Sequence, residues 1–419
     1  MKIGANSEAA AIPANGGFHI RWGEYDGVDE ITRILEAAHL KIATWQKNTL
    51  ELPRNATGKA VITEATRLVK LFNSKTPWEP VAVHLFVIFL PLMLQKPAAR
   101  SKTKDHVRYL QKRLALWKEG RLSEIVSECE EIQRRMKKSK RKEDTVNRGF
   151  TRLMLTGKVK QALKLVDAES DITGVHSMDD HIRRTLQEKH PPGEQPQQDV
   201  LDRGDIPLVE EVIFESIDST SVQKVAKSTS GSGGPTRIDA ETWKHLLCSK
   251  AFGKLSDDLA EEIAVLARRI CTEDIPHNHL KLLWDCRLVP LMKDDNGVRP
   301  VGVGETIRRI IGKCVLKIVG SDVQLAAGAL QTCAGIQSGI EAAIHAMGRA
   351  FQDERCEAVI LVDADNAFNR LNRKVALHNI KQMCPAIHTF LNNSYKVPAR
   401  LHLGDGTFIN SEEGATQGG

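Results

Sequence analysis

The chain has 419 residues, 41% of them hydrophobic and 27% charged, with a formal net charge of +6. That length is too great for one ordinary compact core, so two or three domains are expected, and the sparse aromatic content leaves room for loose connections. A charge this modest excludes attraction to nucleic acid through the total alone; any such attraction has to come from local clusters of Lys and Arg. The eight cysteines are scattered without a CxxC pair, which argues against a disulfide scaffold and for reduced thiols. Cys384 and His388 supply half a zinc site and have no second half.

The N-terminal stretch carries one lysine and no apolar run behind it, so no signal peptide and an intracellular location, nuclear or cytoplasmic, are expected. Residues 28–126 show helical spacing through Ile31, Ile34, Leu35 and Ala38, and again through Val61, Ala65, Leu68 and Leu71. Within them VAVHLFVIFLPLML, residues 81–94, falls short of the roughly 20 residues that span a bilayer. It reads as a buried helix kinked or ended near Pro91, not as a membrane segment. Residues 122–136 continue in helix and run into RRMKKSKRK, with Arg134, Arg135, Lys137, Lys138, Lys140, Arg141 and Lys142. A solvated basic helix end and a phosphate-binding or nuclear-localisation patch both fit that run.

Residues 150–166 read as two short helices packing through Leu153, Val159, Ala162, Leu163 and Val166. The four prolines of residues 190–207 mark an exposed linker. STSGSGGP, residues 228–235, precedes a helix with Asp239 as N-cap. This loop reads first as a flexible connector, with a phosphate cradle as the alternative, because it lacks GxxxxGK[ST] and a preceding strand. Leu255, Leu259, Ile263, Leu266 and Ile270 then lie on one helical face. The texture changes at CRLVPLM and VRPVGV, two apolar runs joined by a polar turn closing on Asn296-Gly297, the signature of a hairpin. Helices return at residues 307–318 and 340–351, and residues 358–362 form a continuous β-favouring run ending on Asp363, the pattern of a buried strand. A carboxylate at such a strand end is either compensated by a divalent cation or caps the next helix, and local features leave the two balanced.

The order of these pieces adds information. CRLVPLMK and VRPVGVGETIRRIIGK, then LQTCAGIQSGIEAAIHAM, then VDADNAFNRLNR with its D-x-x-x-A-F arrangement, then EEGATQGG, resemble in series the reverse transcriptases of mobile elements, nearest to those of retrotransposons lacking long terminal repeats. The resemblance runs from about Pro207 to Gly419. It implies an α+β chain: a helical N-terminal region followed by the fingers and an incomplete palm of a right-hand polymerase fold. The expected divisions are a helical region at 1–125, a basic helical region at 126–189, a linker at 190–206, fingers at 207–356 and a partial palm at 357–419.

The function implied is RNA-directed DNA synthesis, with RNA template, DNA primer and deoxynucleoside triphosphate as partners and Mg²⁺ or Mn²⁺ as cofactor of the complete site. Asp363 would ligate the metals beside the Ala364 carbonyl. Phe368 would stand under the incoming sugar, where a 2′-hydroxyl would clash. Lys293 and Arg299 would hold the triphosphate, and Gln417 and Gly418 would lie against the nascent pair. Nucleotidyl transfer needs two metals about 4 Å apart, which one aspartate cannot hold. No Asp-Asp pair follows Asp363 in these residues, and Asp179-Asp180 precedes it and reads as a helix cap. The chain is therefore expected to end within the palm, to be inactive alone and to expose unpaired strand edges. The alternatives are a non-catalytic nucleic-acid-binding protein working through residues 134–142 and the fingers, or a decayed element copy.

Overall fold

The computed structural model describes residues 28–138, 143–155, 157, 159, 162–163, 174–197, 201, 209–293, 297–333 and 335–416. Among them the chain is mixed α+β, mostly helical, with one small four-stranded sheet. The helices before the first strand are α1 (Val28–Ala43), α2 (Ala56–Asn73), α3 (Glu79–Met93), α4 (Thr103–Lys118), α5 (Leu122–Lys138), α6 (Glu143–Leu155), α7 (Asp180–Glu188), α8 (Ser219–Ser228), α9 (Ala240–Cys248), α10 (Lys254–Thr272) and α11 (His277–Trp284). Strands β1 (Cys286–Met292) and β2 (Val298–Gly304) follow, then α12 (Thr306–Ala327), α13 (Gly339–Phe351), α14 (Ala367–Arg370), α15 (Arg373–Met383) and α16 (Pro385–Tyr395). Strands β3 (Ala399–His402) and β4 (Phe408–Ser411) close the order.

Helix α3 is apolar all round, and thirteen of its residues, Val81 through Met93, are buried. A helix without a polar face has to be surrounded, and α1, α2 and α11 pack against it. It runs through Pro91 and stops at Met93, as the sequence predicts, and no helix among the described residues is long and apolar enough to cross a membrane. Helix α10 packs against both α2 and α8, so one hydrophobic core holds residues from Ile31 to Cys129 together with residues from Phe214 to Val319. The predicted caps are present: Asp179 accepts from the Ile182 N–H and Asp239 from the Thr242 N–H, each satisfying an otherwise unpaired first-turn donor.

The sheet order is β2-β1-β3-β4, with β1 and β2 antiparallel, β1 and β3 parallel, and β3 and β4 antiparallel. On β1, β3 reaches only Cys286 and Arg287; further along β1 Val175 bridges Leu291, so residues 174–176 take over where β3 leaves. A second, smaller core lies under this sheet, where Ile182 and Leu186 of α7 meet Cys286, Leu288, Val298, Leu401 and Ile409.

Three expectations need correction. Residues 358–362 are not a strand; Ile360, Leu361 and Val362 are 85%, 80% and 90% exposed. A buried strand needs ladder partners on its edges, and none of the described strands pairs with this segment. Val159 and Leu163 are exposed and Leu153 is half-buried, so among the described residues of the core expected at residues 150–166 only Ala162 is buried; Val166 lies outside the described residues. Gly233, Gly234, Pro235 and Thr236 are buried, so residues 228–235 are not a slack connector. A Cβ on Gly233 would lie 2.5 Å from the Ile238 carbonyl oxygen and one on Gly234 2.7 Å from the Glu305 nitrogen. The glycines are there to let backbone meet backbone.

Candidate functional site

The hairpin predicted at residues 286–304 is present in full register, from Cys286 opposite Gly304 to Met292 opposite Val298. Its turn is closed by Lys293 N–H donating to the Gly297 carbonyl at 2.9 Å. His176 Nε2 lies 3.2 Å from that same carbonyl oxygen and buttresses the turn. Along β2 the burial alternates at its start, Val298 in and Arg299 out, which sends the Arg299 guanidinium to solvent. Lys293 and Arg299 therefore sit at one end of the hairpin, both exposed, and neither is in an ion pair among the described residues.

A second piece of the predicted site comes to β2 from the far end of the sequence. The loop after β4 brings Thr416 so close to Gly302 that a Cβ there would lie 2.3 Å from Thr416 Cγ2. The same loop seats on α14: Ala415 N–H donates to the Phe368 carbonyl at 2.7 Å and Gly414 N–H to the Leu371 carbonyl at 2.8 Å. Gly414 has φ +67°, and a Cβ there would lie 1.9 Å from the Phe368 oxygen, so no other residue fits this crossing. Arg373 fastens the loop. Its guanidinium donates to the carbonyls of Ser411, Glu413 and Gly414 at 2.7, 2.8 and 3.0 Å, while its backbone N–H donates to Glu413 Oε2 at 2.6 Å. Residues 190–197 are anchored to the same place, with Gly193 and Glu194 N–H groups donating to Glu412 and Glu413.

The loop, Phe368 and the β1–β2 hairpin are thus brought together through Gly302, Thr416 and Ala415. Gln417 and Gly418 lie outside the described residues. Asp363 and Ala364 are exposed, as is Phe368 at 59%. Asp363 does not cap α14, whose N-cap is Asn366 in the left-handed region at φ +51°, and it belongs to no group of three or more ligating residues among the described residues. Of the basic run, Arg134 and Arg135 both pair with Glu131, Lys137 is exposed at the end of α5, and Lys140, Arg141 and Lys142 lie outside the described residues, as does the Lys138 side chain.

A buried polar centre was not foreseen. Asp285, fully buried between α11 and β1, accepts from the Arg400 backbone N–H at 3.1 Å and from Arg400 Nε at 3.0 Å. His402 Nε2 lies 3.1 Å from the same carboxylate, and His39 Nδ1 stands at 3.4 Å, outside good hydrogen-bond alignment. Arg400 also reaches Glu36 at 3.2 Å, and Lys281 joins Glu36 at 2.8 Å. Burial raises the cost of the Asp285 charge, but the Arg400 guanidinium and the two imidazoles outweigh it and hold Asp285 well below the usual carboxylate range. Burial pushes His39 down to about 4 and His84, whose two ring nitrogens are unpartnered, down to about 3. His39, Asp285 and His402 offer three ligand atoms within 4.8 Å of one another, a set a divalent metal could use. The Arg400 guanidinium already sits on the Asp285 oxygen that such a metal would need, so the cation here is the arginine. Nitrogen-rich ligation also fits Mg²⁺ poorly. These residues span positions 39 to 402, so no local spacing could have revealed them.

No protein-family model matches the chain, and no curated protein matches it.

Proposed function

We propose that this chain carries the fingers and the first palm motif of an RNA-directed DNA polymerase of a retrotransposon-like element. The observation that carries this reading is the joining of three distant sequence motifs. The hairpin bearing Lys293 and Arg299 touches, through Gly302, the loop at residues 411–416, and that loop is hydrogen-bonded to the Phe368 carbonyl of the D-x-x-x-A-F motif. An exposed ammonium and an exposed guanidinium at one hairpin end suit the oxygens of a triphosphate, the first as a point charge and the second as a bidentate fork.

In this reading Asp363 is one ligand of a two-metal Mg²⁺ site, next to the Ala364 carbonyl, and Phe368 selects against a 2′-hydroxyl. Gln417 and Gly418 lie against the new base pair. No Asp-Asp pair follows Asp363 in these residues, and nucleotide binding is the property to measure. The test is a titration of labelled deoxynucleoside triphosphate onto the chain loaded with an RNA template and DNA primer in Mg²⁺. The double variant Lys293→Ala/Arg299→Ala is expected to weaken binding at least tenfold with the melting temperature unchanged. Equal affinity of the variant and the parent chain overturns the reading.

A second reading, a non-catalytic nucleic-acid-binding protein, is favoured by one observation: Asp363 is exposed and stands apart from any cluster of ligating groups among the described residues. It predicts RNA binding that falls steeply with salt and is indifferent both to Asp363→Ala and to nucleotide.

A further inference from the structure

Among the described residues several buried or half-buried arginines pair with carboxylates: Arg400 with Asp285 and Glu36, Arg269 with Glu79 and Glu273, and Arg113 with Glu128. Arg373 and Arg308 instead donate singly placed guanidiniums to neutral acceptors, Arg373 to the carbonyls of Ser411, Glu413 and Gly414 and Arg308 to the Trp284 carbonyl and the Tyr395 hydroxyl. One group of three clusters without an ion pair. Arg237, Arg287 and Arg309, from the loop before α9, from β1 and from α12, converge on the glycine-rich loop at residues 228–235.

Arg287 Nη2 donates to Ser232 Oγ at 3.2 Å and lies 3.4 Å from the Gly233 carbonyl. Arg309 Nη2 donates to the Ser232 carbonyl at 2.7 Å. Arg237 closes the loop in the left-handed region at φ +62°, a conformation that disfavours any side chain. All three are half-buried, the Nε of each is buried without a partner, and none is in an ion pair among the described residues. The carboxylate that bears on all three is Glu305, which is fully buried and already accepts both the Thr236 N–H at 2.8 Å and the Thr236 hydroxyl at 2.6 Å. Burial depresses all three guanidinium groups, Arg237 to about 10, so the arrangement is costly as it stands. Three clustered cations with one committed carboxylate lack an anion, and guanidinium forks with free N–H groups match phosphate oxygens.

We propose that Arg237, Arg287 and Arg309, together with the Ser232 loop, form a phosphate-binding site. The phosphate belongs either to a nucleic-acid strand or to a nucleotide. The site lies about 20 Å along β1 from Lys293, six residues at about 3.3 Å each, so it is separate from the hairpin end and does not rest on the polymerase reading.

The experiment uses the full chain, a labelled single-stranded RNA 12-mer followed by anisotropy, and tripolyphosphate followed by calorimetry. Two variants are compared with the parent: Arg287→Gln/Arg309→Gln, and Arg237→Gly. The second removes a cation while relieving the left-handed backbone, so its melting temperature is expected to hold or rise. The double variant is expected to lose at least tenfold in affinity and to reduce the log–log salt slope by about one or more. Arg237→Gly is expected to lose affinity severalfold. Loss for the RNA alone assigns the site to strand phosphate, and loss for tripolyphosphate alone assigns it to nucleotide. Folded variants that bind both probes as the parent does overturn the proposal.

Discussion

Two apolar runs of this chain meet opposite fates. VAVHLFVIFLPLML forms α3 and is buried on every side, whereas VILV at residues 359–362 is exposed. Hydrophobicity does not separate them. A helix satisfies its own backbone hydrogen bonds, so α3 needs only apolar surroundings, which α1, α2 and α11 supply. A strand needs neighbours for its N–H and C=O groups before its side chains can be buried, and the described sheet gives residues 359–362 none. Two helices differ for another reason: α10 buries its apolar face against α2 and α8, whereas in α13 Ile340, Ile344, Met347 and Phe351 recur at helical spacing and are all exposed, without such surroundings among the described residues.

The largest expected effect lies in the packed region. Asp285→Ala strands Arg400 in the interior and is expected to cost about 3–5 kcal/mol, read from denaturant midpoints. Next, Leu85→Ala, which opens a cavity in a fully buried helix, is expected to cost about 2–5 kcal/mol by the same measurement.

Acid sharpens the comparison further. His39 and His84 are held neutral by burial, below the ordinary 6.5, so the unfolded chain binds more protons between those values. Stability is full above pH 6.5 and falls as pH drops towards 4, by on the order of 3 kcal/mol for His39. Glu305 works the other way: burial raises it to about 7, so its contribution grows as pH falls from 7 towards 4.5. Glu305→Gln is therefore expected to steepen the acid limb, which melting temperatures across pH 4–8 would show. Gly414→Ala, forced to φ +67° against the Phe368 carbonyl, is expected to release the 411–416 loop at a cost of about 1–3 kcal/mol, visible as faster amide exchange at Ala415. The smallest effect belongs to the exposed run: Ile360→Ser is expected to change stability by less than about 0.5 kcal/mol. A large loss there would mean that residues 359–362 are packed in solution.

Much of the fold was legible. The 3.6-residue period located α1, α2, α10 and α12, Asp179 and Asp239 announced their helices, and Asn296-Gly297 announced the β1–β2 hairpin. These signals are local, so the sequence carries them without knowledge of partners. The hairpin that carries Lys293 and Arg299 was legible as well, but the surroundings of Asp363 depend on which strands lie beside it, and no local pattern states that. The Asp285 centre and the arginine cluster on the glycine-rich loop are assembled from positions far apart in the chain, so neither spacing nor composition marks them.

The most direct test of the central claim is discrimination by template. With an RNA template and DNA primer bound in Mg²⁺, the chain's affinity for the deoxynucleotide complementary to the templating base is compared with its affinity for the other three. The polymerase reading predicts at least a tenfold preference for the complementary nucleotide, abolished in Lys293→Ala/Arg299→Ala. Equal affinity for all four, or a preference that survives that double variant, would contradict it.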